Sequence, residues 1–291
     1  MTNESKGYVQ TFLAYFIWGF LPLYWKQLGT LAALEIMSFR IICSFLLLLN
    51  IVTIRKEKIY VSYIKDRKKR VALLLTGSLI AINWFVFIFA VNSAFVLQAS
   101  FGYYINPIIS ILIGVLLLKE KMNKLQVVSL SIVIITVVFM AISFGQVPWI
   151  SLILAFSFGF YGYLKKIYKL DSLHSLLLEL LIALPFLLIF MSVITINGTG
   201  HLLNATPKMY LFMALAGVVT VIPLLLFSEG AKRIPLASVG ILQYIAPTLM
   251  LLIGVVIYKE PFTMTYKISF VFIWIAVGIY MYSVFRNRKK K

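Results

Sequence analysis

Apolar runs close to 20 residues long recur along the whole chain, and they constrain its fold more than any other feature. A helix rises ~1.5 Å per residue, so ~20 apolar residues cross a hydrocarbon core ~30 Å thick. Such runs are too long for ordinary strands and lack the alternation of a porin-type barrel. Composition agrees, with 62% apolar and 12% charged residues in 291, against ~45–50% and ~25% in a soluble domain. A soluble enzyme is excluded. Breaks between the runs predict helices near 7–27, 32–54, 71–91, 95–118, 123–143, 147–165, 172–195, 208–229, 236–258 and 264–286. Ten spans leave no room for a soluble domain. The first run, Gly7 to Leu28, is too long for a signal-peptide core and reads as a retained helix.

The formal net charge is +18, which raises nucleic acid as a partner until the charge is sorted by side. With the N-terminus inside, 22 Lys and Arg fall on the inner side, and only Lys26, Lys208, Lys259 and Lys267 fall outside. Arg40 lies within a span. This is the positive-inside pattern, and it predicts that both termini are cytoplasmic. DRKKR (66–70) and RNRKKK (286–291) then suit anionic inner-leaflet lipid rather than nucleic acid.

A shift of 140 residues aligns YYINPIISILIGVLLLKE (103–120) with QYIAPTLMLLIGVVIYKE (243–260), and from Tyr104 and Tyr244 onward nine of 17 positions are identical. The same shift pairs Gly19 with Gly159, Phe20 with Phe160, Lys26 with Lys166, Gly77 with Gly217 and Phe87 with Phe227. A repeated Pro, Gly and Lys-Glu in register points to duplication of two units, 1–145 and 146–291. Five helices per unit is an odd number, so the second unit enters the membrane from the opposite side. The fold class is thus an all-α polytopic membrane protein, ten transmembrane helices in two inverted-topology five-helix repeats. That architecture permits alternating access, because exchanging the conformations of the halves turns an outward-open cavity inward.

AYFIWGFLPLYWK (14–26), EIMSFR (35–40), NWFVFIFAVN (83–92), ASFGYYINP (99–107), AFSFGFYG (155–162) and QYIAPTLM (243–250) resemble the RarD-type permeases of the EamA branch of the drug/metabolite transporters. The resemblance covers nearly the whole chain. It implies a bacterial plasma-membrane location and movement of a small metabolite or drug through a central cavity. It does not imply a cargo, and the direction stays open, with export as one alternative.

Pro107 and Pro247 fall about 12 residues, or ~18 Å, into their predicted helices. Each is expected to free a carbonyl four residues earlier, at Tyr103 and Gln243, near the bilayer midplane. Either these helices flex or bind substrate, or the kinks are inherited packing features. Tyr103, Tyr104, Asn106, Gln243 and Tyr244 surround the prolines, with Gln98 nearer the outer end, and are the main candidates for the substrate path. Tyr15, Trp18, Trp84 and Tyr161 are further candidates, with packing or lipid contact as the competing role. Asn83 is a mid-span amide that needs a partner on another helix or in a cavity.

Glu35, Arg40 and Glu179 are ionisable groups within the spans, where each costs ~2.5–3.5 kcal/mol or more at the centre. Glu35 and Arg40 are five apart and face different directions, which leaves Glu179 as one possible partner for Arg40. Glu179 or Glu35 either carries a coupling proton or serves as a structural link. Glu120, Glu229 and Glu260 read as boundary and capping residues, and His201 as solvated. A lone cysteine, Cys43, and two histidines predict no disulfide, no metal and no cofactor. The chain offers no Walker A or G-x-S-x-G pattern, so a secondary transporter leads over a channel, a lipid scramblase or a membrane-embedded enzyme.

Overall fold

The computed structural model describes residues 2–56, 59–118, 122–168, 170–201, 205–231, 233, 234 and 242–288. Among these the chain is helix and loop, without a strand. α1 is Asn3–Lys26, α2 Ala33–Arg55, α3 Ile59–Lys65, α4 Arg67–Asn92, α5 Val96–Leu118 and α6 Lys124–Phe144. α7 is Trp149–Tyr168, α8 Ser172–Ile196, α9 Pro207–Ala231, α10 Ile245–Leu252 and α11 Met264–Arg288. α10 continues as a π-helical turn over Ile253–Ile257. Among the described residues, six segments, within α2, α4, α6, α8, α9 and α11, are long and apolar enough to cross a membrane, and Trp149–Lys165 and Ile245–Ile257 are shorter apolar helices. The chain is an all-helical, polytopic membrane protein.

Local polar chemistry sets where the helices begin. The Thr2 side chain accepts from the Ser5 amide at 3.1 Å, and Asp66 accepts from the Lys68 amide at 2.8 Å. Asn123 and Gln126 form a reciprocal capping box at 2.9 and 3.0 Å, and Asp171 accepts from the Leu173 and His174 amides at 3.1 Å. Each cap satisfies first-turn amides that have no helical partner. Gly145 ends α6 in the left-handed region, φ 65°, where a side chain would strain the backbone.

Two elements depart from the periodicity. α3, seven residues in the basic connection, is too short to register as an apolar run. The expected start of the ninth helix at 236 lies outside the described residues, as do Lys119, Glu120 and 289–291. Pro247 is the third residue of α10 rather than a mid-helix kink. In a first turn its missing amide breaks no helical hydrogen bond, so the expected release of the Gln243 carbonyl is not required. Pro107 does lie inside α5.

The main helix pairs exchange under the 140-residue shift of the sequence. Shifting by 140 converts α1 to α7, α2 to α8, α4 to α9, α5 to α10 and α6 to α11. α1 packs on α9 and α4 on α7; α10 packs on α1 and α5 on α7; α9 packs on α2 and α4 on α8. Each of these pairs is carried onto its fellow by the shift. α2 with α8, α5 with α10 and α6 with α11 map onto themselves. Gly217 lets α9 press on α2, since a Cβ there would sit 2.5 Å from the Cys43 carbonyl oxygen. Gly77, which the 140-residue shift pairs with it, faces α8 more loosely, 3.5 Å from Glu179 Cα.

Contacts between helix ends also sort by side. The Asp171 amide donates to the Tyr63 hydroxyl at 2.8 Å, Arg233 donates to Gln10, and Asn123 Nδ2 donates to Ser283 Oγ at 2.7 Å. The other three join Lys208 to Gln27 at 2.8 Å, His201 to Glu35 at 2.9 Å, and the Val96 amide to Glu260 at 2.8 Å. The first set joins ends that the charge count assigns to the inner face, and the second joins ends assigned to the outer face. α6 and α11 turn apolar side chains such as Ile134, Ile135, Ile142, Val271 and Ile275 outward, as a lipid-facing surface requires.

Candidate functional site

Arg40 is the most unusual side chain in the bundle. It lies on α2, only 4% exposed, with its guanidinium carbon 4.0 Å from the Trp84 ring centroid and 5.1 Å from that of Trp25. Cation–π contact compensates part of the burial of a charge. Among the described residues no carboxylate pairs with it, and its Nε and Nη1 have no hydrogen-bond acceptor. The Tyr24 and Tyr103 hydroxyls lie within electrostatic reach. Trp25, fully buried, also carries an indole N–H without an acceptor.

Asn83 sits on α4 one residue before Trp84 and joins three helices. Its amide donates to the Leu154 carbonyl and to Ser157 Oγ on α7, both at 3.0 Å, and its oxygen receives the Tyr103 hydroxyl of α5 at 3.5 Å. The mid-span amide thus finds partners on neighbouring helices. Tyr15 and Trp18 pack edge-on to one another at 5.3 Å and both contact Phe227 of α9.

A second polar cluster surrounds Glu179 on α8. Lys165 Nζ lies 3.0 Å from Glu179 Oε1, Thr76 donates to the same oxygen at 2.7 Å, and Tyr161 donates to Oε2 at 3.3 Å. Lys165 also donates to Ser175 and lies 4.8 Å from the Tyr161 ring centroid. Arg40 and Glu179 are therefore not partners. Counting Lys165 with the inner-loop cations concealed this pairing, because the predicted helix ended at that residue. Tyr161, one turn earlier on the same face, was the available signal.

The remaining path candidates divide between two places. Tyr104 stacks on Tyr244 at 6.0 Å, donates to Thr248 Oγ1 at 2.6 Å, and packs against Phe270 and Trp274 of α11. That cluster is distinct from the one holding Tyr103, Trp84 and Trp25. Ser100 donates to the Pro247 carbonyl at 2.7 Å, tying α5 to α10. Gln98, Asn106 and Pro107 are buried on α5, and Gln243 is half-buried in the turn before α10. Ser100 and Thr248 were not singled out from the sequence, since lone hydroxyls in apolar helices carry no pattern.

Glu35 caps α2, accepting from the Ala32 amide at 3.0 Å and from the His201 amide and Nδ1 at 2.9 Å. His201 is therefore tied to a carboxylate rather than merely solvated. Glu260 also caps, but across the fold: its two oxygens accept from the Val96 and Leu97 amides at the start of α5, at 2.8 and 2.9 Å. Burial pushes its carboxyl above the ordinary range, while the two amides and Lys26 pull it back. Among the described residues no group of three or more His, Cys, Asp or Glu is placed to hold a metal.

The chain matches the EamA-like transporter family twice, over residues 5–142 and 147–282. It is 45% identical to the uncharacterized transporter YojE of Bacillus subtilis (strain 168), across 97% of this chain and 95% of that one. It is 34% identical to Protein RarD of Escherichia coli (strain K12), across 99% of this chain and 98% of that one. A solved crystal structure shares the fold, with TM-score 0.59 and 13% identity over 94% of this chain and 96% of that one. A polytopic helical bundle with buried polar clusters, related over its length to bacterial transporters, is a bacterial multi-pass membrane transporter. It belongs to the EamA-like transporter family, as a permease of the RarD type.

Proposed function

We propose that this transporter is a secondary carrier that moves a small metabolite or drug by alternating access, without ATP, enzymatic chemistry or a bound cofactor. Its ten helices form two inverted repeats, 1–145 and 146–291, in the plasma membrane with both termini cytoplasmic. The observation that carries this reading is the exchange of helix pairs under the 140-residue shift, above all α1 on α9 with α4 on α7. Two copies of one unit packed reciprocally can trade conformations, which a carrier needs and a fixed pore does not. The sorting of end contacts by side supports the topology. The basic inner connections suit contact with anionic lipid.

Glu179 has two roles open to it, and its surroundings favour one. With Lys165, Thr76 and Tyr161 all bonded to it, it is a fixed tie between α7, α8 and α4 rather than a free carrier of coupling protons.

The test compares solutes inside and outside cells with and without the gene, then reconstitutes the purified protein with each solute that changes. Saturable counterflow of a labelled solute supports the carrier. Unitary currents, or lipid movement without solute movement, would instead establish a channel or scramblase.

A further inference from the structure

The buried guanidinium of Arg40 lies against two aromatic rings, yet two of its nitrogens are left without an acceptor. Trp84 and Trp25 lie against it at 4.0 and 5.1 Å. Indole faces attract a cation but accept no conventional N–H bond, so contact with the rings leaves the guanidinium donors in need of acceptors. Nε and Nη1 have none, nor does Trp25 Nε1 in the ring beside them. Three buried donors around one positive charge therefore lack an acceptor. Buried charges in membrane proteins are ordinarily paired, and one without a protein partner marks a place where an ion or substrate supplies the missing charge.

We propose that Arg40, with the Trp25 indole N–H, is the binding site for the carboxylate of a monoanionic organic substrate. This rests on the carrier reading and names its substrate class. A carboxylate presents two acceptor oxygens in the plane in which a guanidinium donates. One negative charge is the right complement. The Tyr24 and Tyr103 hydroxyls near Arg40 are uncharged phenols, and no second cation is found beside it among the described residues, so a dianion would bring an uncompensated charge into the bundle. The body of the substrate is apolar, since Tyr103 beside Arg40 packs on Phe87 at 5.9 Å and both belong to the apolar cluster that holds Trp25 and Trp84.

The test uses the purified full chain in detergent and follows its thermal unfolding with benzoate, phenylacetate or hexanoate, their neutral amides, phenyl phosphate, and chloride. At least one carboxylate is expected to protect the protein while its amide does not, and the Arg40→Gln variant is expected to lose that protection. Trp25→Phe keeps the ring but removes the indole donor, and weakens binding by about tenfold. If Arg40→Gln does not fold, Trp25→Phe decides the matter. The site is overturned if no carboxylate outperforms its amide, if chloride or phenyl phosphate protects equally, or if folded Arg40→Gln or Trp25→Phe binds as tightly as wild type. Counterflow separates the two claims. A carboxylate that binds through Arg40 but shows no saturable counterflow sinks the carrier and leaves the site, whereas counterflow of another solute with no carboxylate binding does the reverse.

Discussion

Lys165 and Glu179 form an ion pair 3.0 Å long between α7 and α8, with side-chain exposures of 12% and 0%. Coulomb attraction at such burial does little more than balance desolvation, yet removing one partner strands the other. Glu179→Gln or Lys165→Met is expected to cost about 3–5 kcal/mol of stability. The double variant Lys165→Met/Glu179→Leu should recover most of this loss, as followed by thermal unfolding in detergent. Where Glu179→Gln remains folded, any dependence of vesicle transport on a pH gradient is expected to match that of the wild type. Loss of that dependence would make Glu179 a proton carrier and reverse the structural role assigned to it.

Gly217 and Gly77 are paired by the 140-residue shift but should respond oppositely to alanine. A Cβ at Gly217 would meet Cys43 backbone at 2.5 Å, which cannot move aside cheaply, whereas one at Gly77 finds ordinary contact at 3.5 Å. Gly217→Ala is expected to destabilise by about 1–3 kcal/mol. Gly77→Ala should be neutral or stabilising by up to about 1 kcal/mol, through helix propensity. Melting temperatures of the two variants check the contrast.

Glu260 anchors the start of α5 from the segment after the π-helical turn. Glu260→Ala leaves the Val96 and Leu97 amides without these acceptors and is expected to cost about 0.5–2 kcal/mol, with Gln costing less. Because the folded carboxyl holds its proton more tightly than the unfolded chain does, its contribution is full at low pH and declines as pH rises through the folded value. The stability of wild type relative to Glu260→Gln should therefore fall with rising pH. A flat difference would refute that coupling.

How much of this was legible in the sequence depended on whether the signal was collective or local. Helix positions came from runs of ~20 residues, each a sum over many side chains, so α2, α6 and α8 fall within about two residues of their predicted bounds. The sides assigned to the connections likewise rest on 22 charges acting together rather than on any one residue. Pairings within the bundle depend on which way one side chain faces, and there single-residue reasoning fell short. Arg40 was recognisable as a buried charge, but its cover by Trp25 and Trp84 unites α2, α1 and α4, which no spacing reveals. Tyr103 and Tyr104 are adjacent in sequence and were grouped together, yet successive helical residues point about 100° apart and the two enter different clusters.

Alternating access itself is most directly tested by locking one side. With Cys43 replaced by Ser, Thr30→Cys and Met209→Cys place a cross-link where Thr30 Oγ1 and Met209 Sδ now lie 3.8 Å apart, and Tyr103→Cys reports from within the bundle. In sealed vesicles of known orientation, an impermeant maleimide should reach position 103 from the outer side when the pair is reduced. Oxidising the pair should stop that labelling while labelling from the inner side continues. Outer labelling that persists with the pair oxidised, or access from one side only under every condition, would contradict the carrier.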